Sequence, residues 1–192
     1  MHWKVLTLTP DAFTGACRRL EQMISADGFM PDLVLSIRNG GAYVGNEMFR
    51  SVTHRDLLLQ RGSTPSKSRM RAIIRLIPRP LQNLMRIAEA RRLYRRYRRQ
   101  RGRLETAVSS SRRTAGIPLS SDDRFSNILI VDDAVDSGLT LRIVVNAVRR
   151  ATPQAEIRTA VITATTPDPM IRPDYALYRD QTLIRFPWSI DA

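Results

Sequence analysis

The stretch Ile128-Leu-Ile-Val-Asp-Asp-Ala-Val-Asp-Ser-Gly-Leu-Thr-Leu141 decides the fold of this chain. Ile128 to Val131 read as a buried strand, Asp132 and Asp133 stand at its C-terminal end, and Ser137-Gly138-Leu139-Thr140 turns directly into an apolar helix over 140–151. Ligands of open α/β sheets bind outside the carboxyl ends of the strands. Backbone N–H groups at such a turn, two hydroxyls and the helix dipole form a cradle for a phosphate monoester. Gly138 permits a backbone conformation that a side chain would obstruct. The two carboxylates repel a phosphate, but they suit ribose hydroxyls and hydrated Mg²⁺.

Outward from this stretch, strands and helices alternate, which predicts a parallel α/β sheet. Upstream, Val5–Leu8 reads as a short strand. Thr9-Pro10 reads as a helix cap, with Phe13, Cys17, Leu20 and Ile24 at helical spacing and Asp27-Gly28 as the stop. Leu33–Ile37 is a second buried strand, followed by a Gly40-Gly41 turn and a helix through Phe49, and Asp56–Gln60 is a third strand. Downstream, Pro153 ends the helix and Ile157–Thr163 resumes as strand. The single cysteine, Cys17, excludes an internal disulfide and a cysteine metal cluster, and reads as a small apolar residue.

Of the 192 residues, 43% are hydrophobic, enough for a core, and no run is long and apolar enough to span a bilayer. With no signal-peptide pattern at the start, a cytoplasmic protein is expected. The net charge of +13 is unevenly placed: residues 61–115 hold 17 Arg or Lys against Glu89 and Glu105, while the rest holds 14 basic and 16 acidic residues. The chain therefore divides into a core, 1–60 and 116–192, and an Arg-rich helical insertion, 61–115. Within the insertion the pattern predicts a helix from Leu81 to about Leu104, with Leu81, Leu84, Met85 and Ala88 sharing one face and Ala90, Leu93, Tyr94 and Tyr97 another. Ser109-Ser-Ser111 reads as a link back to the core. A connection this long in a compact domain implies a use.

The run from Ile128 to Thr140 resembles the signature of type I phosphoribosyltransferases, with Ser137 in the usual threonine place. The resemblance implies that fold: a central, mostly parallel sheet flanked by helices, with a small hood. It implies a Mg²⁺-dependent pentosyltransferase using 5-phosphoribosyl 1-diphosphate (PRPP). Asp132 and Asp133 would hold the ribose hydroxyls and, through water, the metal. Residues Asp136, Ser137, Gly138, Leu139 and Thr140 would bind the 5-phosphate, with Asp136 as general base. The segment Pro31-Asp-Leu-Val-Leu-Ser-Ile-Arg-Asn-Gly-Gly41 is similar to the family's pyrophosphate loop, which assigns Arg38, Asn39, Gly40 and Gly41 to the diphosphate. Here Arg38 lies one residue earlier than in the commoner pattern. Residues 172–175 and 183–188 are similar to the hood of xanthine- and hypoxanthine-type members, which places Tyr175, Phe186 and Trp188 over the acceptor.

The acceptor is less legible. Purine-using relatives carry a lysine just after the strand that follows the signature helix, and Thr163-Ala-Thr-Thr-Pro167 has none. That leans the expectation toward a glycan hydroxyl in ribofuranose-containing polysaccharide synthesis, ahead of salvage of xanthine, guanine or hypoxanthine. A third reading is a PRPP-sensing, nucleic-acid-binding regulator. Residues 61–115 are expected at an anionic membrane surface, on its cytoplasmic face. A lid or homo-oligomer contact ranks next, and nucleic acid last.

Overall fold

The computed structural model describes residues 3–37, 39–57, 77–110, 117–120 and 123–189, without the side chains of 107–110. Five parallel strands form the main sheet in the order β3-β2-β4-β5-β6: β2 (Leu33–Ile37), β3 (Thr53–Leu57), β4 (Asn127–Val135), β5 (Glu156–Ala164) and β6 (Tyr175–Tyr178). A second, two-stranded parallel sheet joins β1 (Lys4–Thr7) to β7 (Thr182–Arg185). Helices α1 (Pro10–Ala26), α2 (Gly40–Glu47), α3 (Arg79–Ser110) and α4 (Leu139–Ala151) complete the described chain.

Alternation along the central strands loads both faces of the sheet. Leu33, Leu35, Ile128 and Ile130 pack with Leu141, Val144 and Val148 of α4. Val34, Leu129 and Val131 pack with Phe13, Cys17, Leu20 and Ile24 of α1. Ile128, Leu129 and Ile130 are fully buried, each contributing about 1.5–3 kcal/mol. Helix α1 starts as its sequence requires: Thr9 Oγ1 accepts the Ala12 N–H at 3.3 Å, Pro10 occupies the first turn, and Gly28 adopts φ 81° past the end. Cys17 is fully buried, and burial, with Glu47 and Glu21 nearby, pushes its thiol up to about 12. Asp32 fixes the start of β4 by accepting the Ser126 N–H at 2.6 Å and the Asn127 N–H at 3.0 Å.

Several boundaries differ from the sequence reading for physical reasons. Strand β4 runs on past Asp132 and Asp133 to Val135, because its pairing with β5 continues to Val135–Ala164. Strand β3 begins at Thr53, three residues before the expected start at Asp56, because as an edge strand among the described residues it buries only Leu57 and no apolar run marks its beginning; residues 58–60 lie outside the described residues. Helix α3 continues through Ser110, so Ser109 and Ser110 extend the helix where a link was expected. The reading of 61–76 lies outside the described residues.

The arginine-rich helix is not a detached appendage. Ile87, Ala90, Tyr94, Tyr97 and Leu104 pack with Trp3, Met170, Leu139 and Leu183. Tyr94 Oη donates to Asp168 Oδ1 at 2.8 Å, Tyr97 Oη donates to the Asp168 carbonyl at 3.0 Å, and Arg101 pairs with Asp168 Oδ2 at 3.2 Å. Arg86 donates to the Ile184 carbonyl, and Arg185 of β7 donates to Asn83 Oδ1, each at 2.9 Å.

Candidate active site

The strand order reverses direction between β2 and β4: β3 follows on one side, β5 and β6 on the other. This is the switch point where the loops leaving two neighbouring strands part and open a crevice. Pairing of β2 with β4 stops at Ser36–Val131, whereas pairing of β4 with β5 continues to Val135–Ala164. Asp132 and Asp133 therefore sit on strand backbone that is held on one side only, facing the gap where β2 has turned into α2.

The glycine pair fills that gap. A Cβ at Gly40 would fall on the Asp133 carboxylate, and one at Gly41 would lie 2.7 Å from the Val131 carbonyl oxygen. Only glycine lets the start of α2 come this close to the acids. Asn39, which leads into the helix, has φ 88°, a left-handed value costly for a residue with a side chain. Asp132 Oδ1 accepts the Asp133 N–H at 2.9 Å. Burial pushes the Asp133 carboxyl above the usual carboxylate range, and the nearby Asp136 charge adds to the effect.

Beyond Val135 the chain makes the turn anticipated for phosphate. Gly138 has φ 74°, and its Cβ position would meet Ile171 N at 2.9 Å, so both conformation and space require glycine. Ser137 Oγ accepts the Leu139 N–H at 3.4 Å. Helix α4 has no acid in its first turn and Arg149 and Arg150 in its last, leaving its positive end open to an anion. The neighbouring strand fixes Asp136. Thr165 Oγ1 donates to Asp136 Oδ1, and Thr166 Oγ1 donates to the Asp136 carbonyl at 2.5 Å. Met170 N–H donates to the Ser137 carbonyl at 2.8 Å, so segment 165–171 straps the whole turn.

Asp136, Ser137, Thr165 and Thr166 form one end of a cleft of about 590 Å³ that continues under α3, along Trp3, Tyr94 and Tyr97 to Leu104. An acid pair beneath a glycine loop, a glycine turn at a helix N-terminus and an acid at the mouth of a cleft thus follow one another along β4 and the segment after it. The sequence profile of the phosphoribosyl transferase domain matches residues 5–191. The chain belongs to that family.

The fold of this phosphoribosyltransferase is shared with solved structures of similar length. The purine phosphoribosyltransferase of Pyrococcus horikoshii superposes with a TM-score of 0.56 at 19% identity, covering 96% of this chain and 94% of that one. The xanthine-guanine-hypoxanthine phosphoribosyltransferase of Helicobacter pylori gives 0.54 at 15% identity, covering 97% and 93%. A hypothetical protein of Neisseria gonorrhoeae with bound ppGpp gives 0.53 at 13%, covering 98% and 90%. No curated protein sequence matches the chain.

Set against this site, the residues marked in the phosphoribosyltransferase sequence fall into two groups. Asp132, Asp133, Asp136, Ser137, Gly138, Leu139, Thr140, Asn39, Gly40 and Gly41 lie along β4, the turn after it, the start of α4 and the start of α2. Arg38 lies outside the described residues. The hood aromatics are placed differently from the expectation. Tyr175 is buried and donates to Asp27 Oδ2 at 2.6 Å, and Phe186 is buried in the α1-side core. Trp188 is half-buried and stacks on Tyr43 at 4.3 Å and on Phe186 at 4.8 Å, so its rings pack on protein neighbours. Phe13 meets both Phe186 and Trp188 edge-on, so the stack packs against the core of the α1 side. Sequence reading missed Thr165 and Thr166 as the supports of Asp136. Their signal was position, directly after the strand paired with the signature strand.

Proposed function

We propose that this phosphoribosyltransferase moves the 5-phosphoribosyl group of PRPP to a purine nucleobase and releases pyrophosphate. The observation that carries the transfer chemistry is Asp136, held by Thr165 at the boundary between the phosphate turn and the cleft. The 5-phosphate would sit at the N-terminus of α4, the ribose hydroxyls would donate to Asp132 and Asp133, and the diphosphate would lie over Gly40 and Gly41. An acceptor nitrogen in the cleft attacks the anomeric carbon as its bond to the pyrophosphate oxygen breaks. The leaving group takes that electron pair, and Asp136 takes the proton of the nucleophile. Attack opposite the leaving group turns the α-anomer into a β-linked product.

Mg²⁺ fits this donor set. Among the described residues no cluster of three acidic, histidine or cysteine side chains could hold an ion alone. Two carboxylates, Asp132 and Asp133, would hold it through water, with the donor's phosphates as the remaining ligands, an arrangement typical of this ion. The raised Asp133 carboxyl is what an adjacent cation would draw back toward ionisation. Bound there, Mg²⁺ would stabilise charge developing on the leaving pyrophosphate.

The purine reading rests on relatives: the similar structures from P. horikoshii and H. pylori are named for purine substrates. It displaces the glycan hydroxyl from first place. One observation keeps the glycan as a second reading. The cleft of about 590 Å³ runs well beyond Asp136, in the range of roughly 300–1,000 Å³ that takes drug-sized ligands. Incubation with PRPP and Mg²⁺ and each of hypoxanthine, guanine and xanthine, followed by pyrophosphate release, tests the assignment. Turnover of one base, abolished in Asp136→Asn with donor binding retained, is expected. Silence with all three bases, alongside turnover of a polysaccharide acceptor, would replace the purine with the glycan.

A further inference from the structure

Helix α3 has two faces with different fates. Gln82, Arg86, Ala90, Tyr94, Tyr97, Arg101 and Leu104 follow a spacing of three to four residues and pack inward or hydrogen-bond to the core. The opposite stripe, at the same spacing, is Leu81, Leu84, Met85 and Ala88, continued by Arg92, Arg95, Arg99 and Arg103. Leu81 is 49% exposed, Leu84 63% and Met85 51%, large apolar side chains on one turn of surface. None of Arg92, Arg95, Arg99 and Arg103 makes an ion pair among the described residues. Arg92, Arg95, Arg96 and Arg99 line a surface groove of their own, about 430 Å³ in volume.

We propose that this outer stripe docks on an anionic phospholipid surface, with Leu81, Leu84 and Met85 entering the acyl boundary and Arg92, Arg95, Arg99 and Arg103 on headgroup phosphates. Charge complementarity names the partner, because like charges three and four residues apart repel each other until an anion lies across them. The apolar end favours lipid over nucleic acid, whose phosphate backbone offers arginine ligands and nothing for Leu84. From Leu81 to Arg103 the stripe runs for about 33 Å at 1.5 Å per residue. The inner face is what orients it. Tyr94, Tyr97 and Arg101 fasten α3 to Asp168, so the stripe points away from the domain while the cleft opens along its flank. No described helix is long and apolar enough to cross a membrane, and surface docking needs none.

The docking is independent of the acceptor, so its test uses binding alone. The full chain is sedimented with phosphatidylserine–phosphatidylcholine vesicles and with phosphatidylcholine vesicles. Association with the anionic vesicles alone is expected, weakened by added salt. At about fivefold in partitioning per arginine, Arg92→Gln, Arg95→Gln and Arg99→Gln together should weaken it by about 100-fold. Leu84→Gln with Met85→Gln should weaken it by about tenfold or more at unchanged charge. These side chains are exposed, so unchanged circular dichroism confirms that each variant is folded. Binding unaffected by either variant, or no vesicle binding beside tight, salt-sensitive binding to polyuridylate, overturns the proposal.

Discussion

Gly40→Ala isolates the contact on which the acid pair depends. The added methyl group would coincide with the Asp133 carboxylate, so Asp133 or the start of α2 must move. Helix α2 is seated by Gly41, whose Cβ position lies 2.7 Å from the Val131 carbonyl and 3.1 Å from Asp132 Cα, so it is the Asp133 carboxylate that must swing out of its place beside Asp132. Overpacking of this kind costs about 1–3 kcal/mol. If that cost falls on the donor-competent arrangement, the dissociation constant for PRPP with Mg²⁺ rises roughly 5- to 150-fold. Isothermal titration calorimetry of PRPP against both proteins measures it, with thermal unfolding in parallel. Gly15→Ala is the matched control: Gly15 lies within α1 and nothing stands within 4 Å of its Cβ position. That change should leave donor binding alone and stabilise the fold by about 0.5–1 kcal/mol. Wild-type PRPP affinity in Gly40→Ala would refute the idea that α2's approach shapes the proposed ribose site.

Other expectations follow from single contacts. Thr165→Val removes the hydroxyl that donates to Asp136 Oδ1, and turnover should fall about 10- to 100-fold with the KM for PRPP nearly unchanged, as steady-state kinetics would read. Asp168→Ala strips the acceptor from Tyr94, which should lower stability by about 1 kcal/mol in urea unfolding and speed proteolysis within α3. Asp123 accepts two bonds from Arg55, at 2.5 and 2.8 Å, and one from the Ser120 N–H at 2.7 Å, which together hold its carboxyl well below the usual carboxylate range. Its stabilising effect is therefore complete above an unfolded pKa of about 4 and fades as the pH drops below that value. In Asp123→Asn the acid limb of a stability–pH curve should be shallower; curves of equal slope would show that the Arg55 pair does not contribute.

Much of the chain was legible because local chemistry and tertiary structure agree. The run Ile128–Val131 is apolar at every position, as a strand covered on both faces must be, and Thr9, Pro10 and Gly28 punctuate α1 in the only way its ends can be satisfied. The sequence alone also placed Asp132 and Asp133 in the carboxyl-terminal half of a strand and the Gly138 turn after it, since three consecutive elements need no long-range information. What tertiary structure decided lies where distant segments meet. That Gly40 roofs Asp133 follows from β2 and β4 being neighbours, and that Thr165 holds Asp136 follows from the pairing of Val135 with Ala164. Trp188 was expected over the acceptor, whereas it stacks with Tyr43 and Phe186 and meets the edge of Phe13, 175 residues away in the chain. The arginines of α3 showed their number in the sequence, but Tyr94, Tyr97 and Asp168 set which of them face outward. Residue type and spacing fix what a segment can be; which partner completes it is fixed by packing, and packing is settled only when all segments are present together.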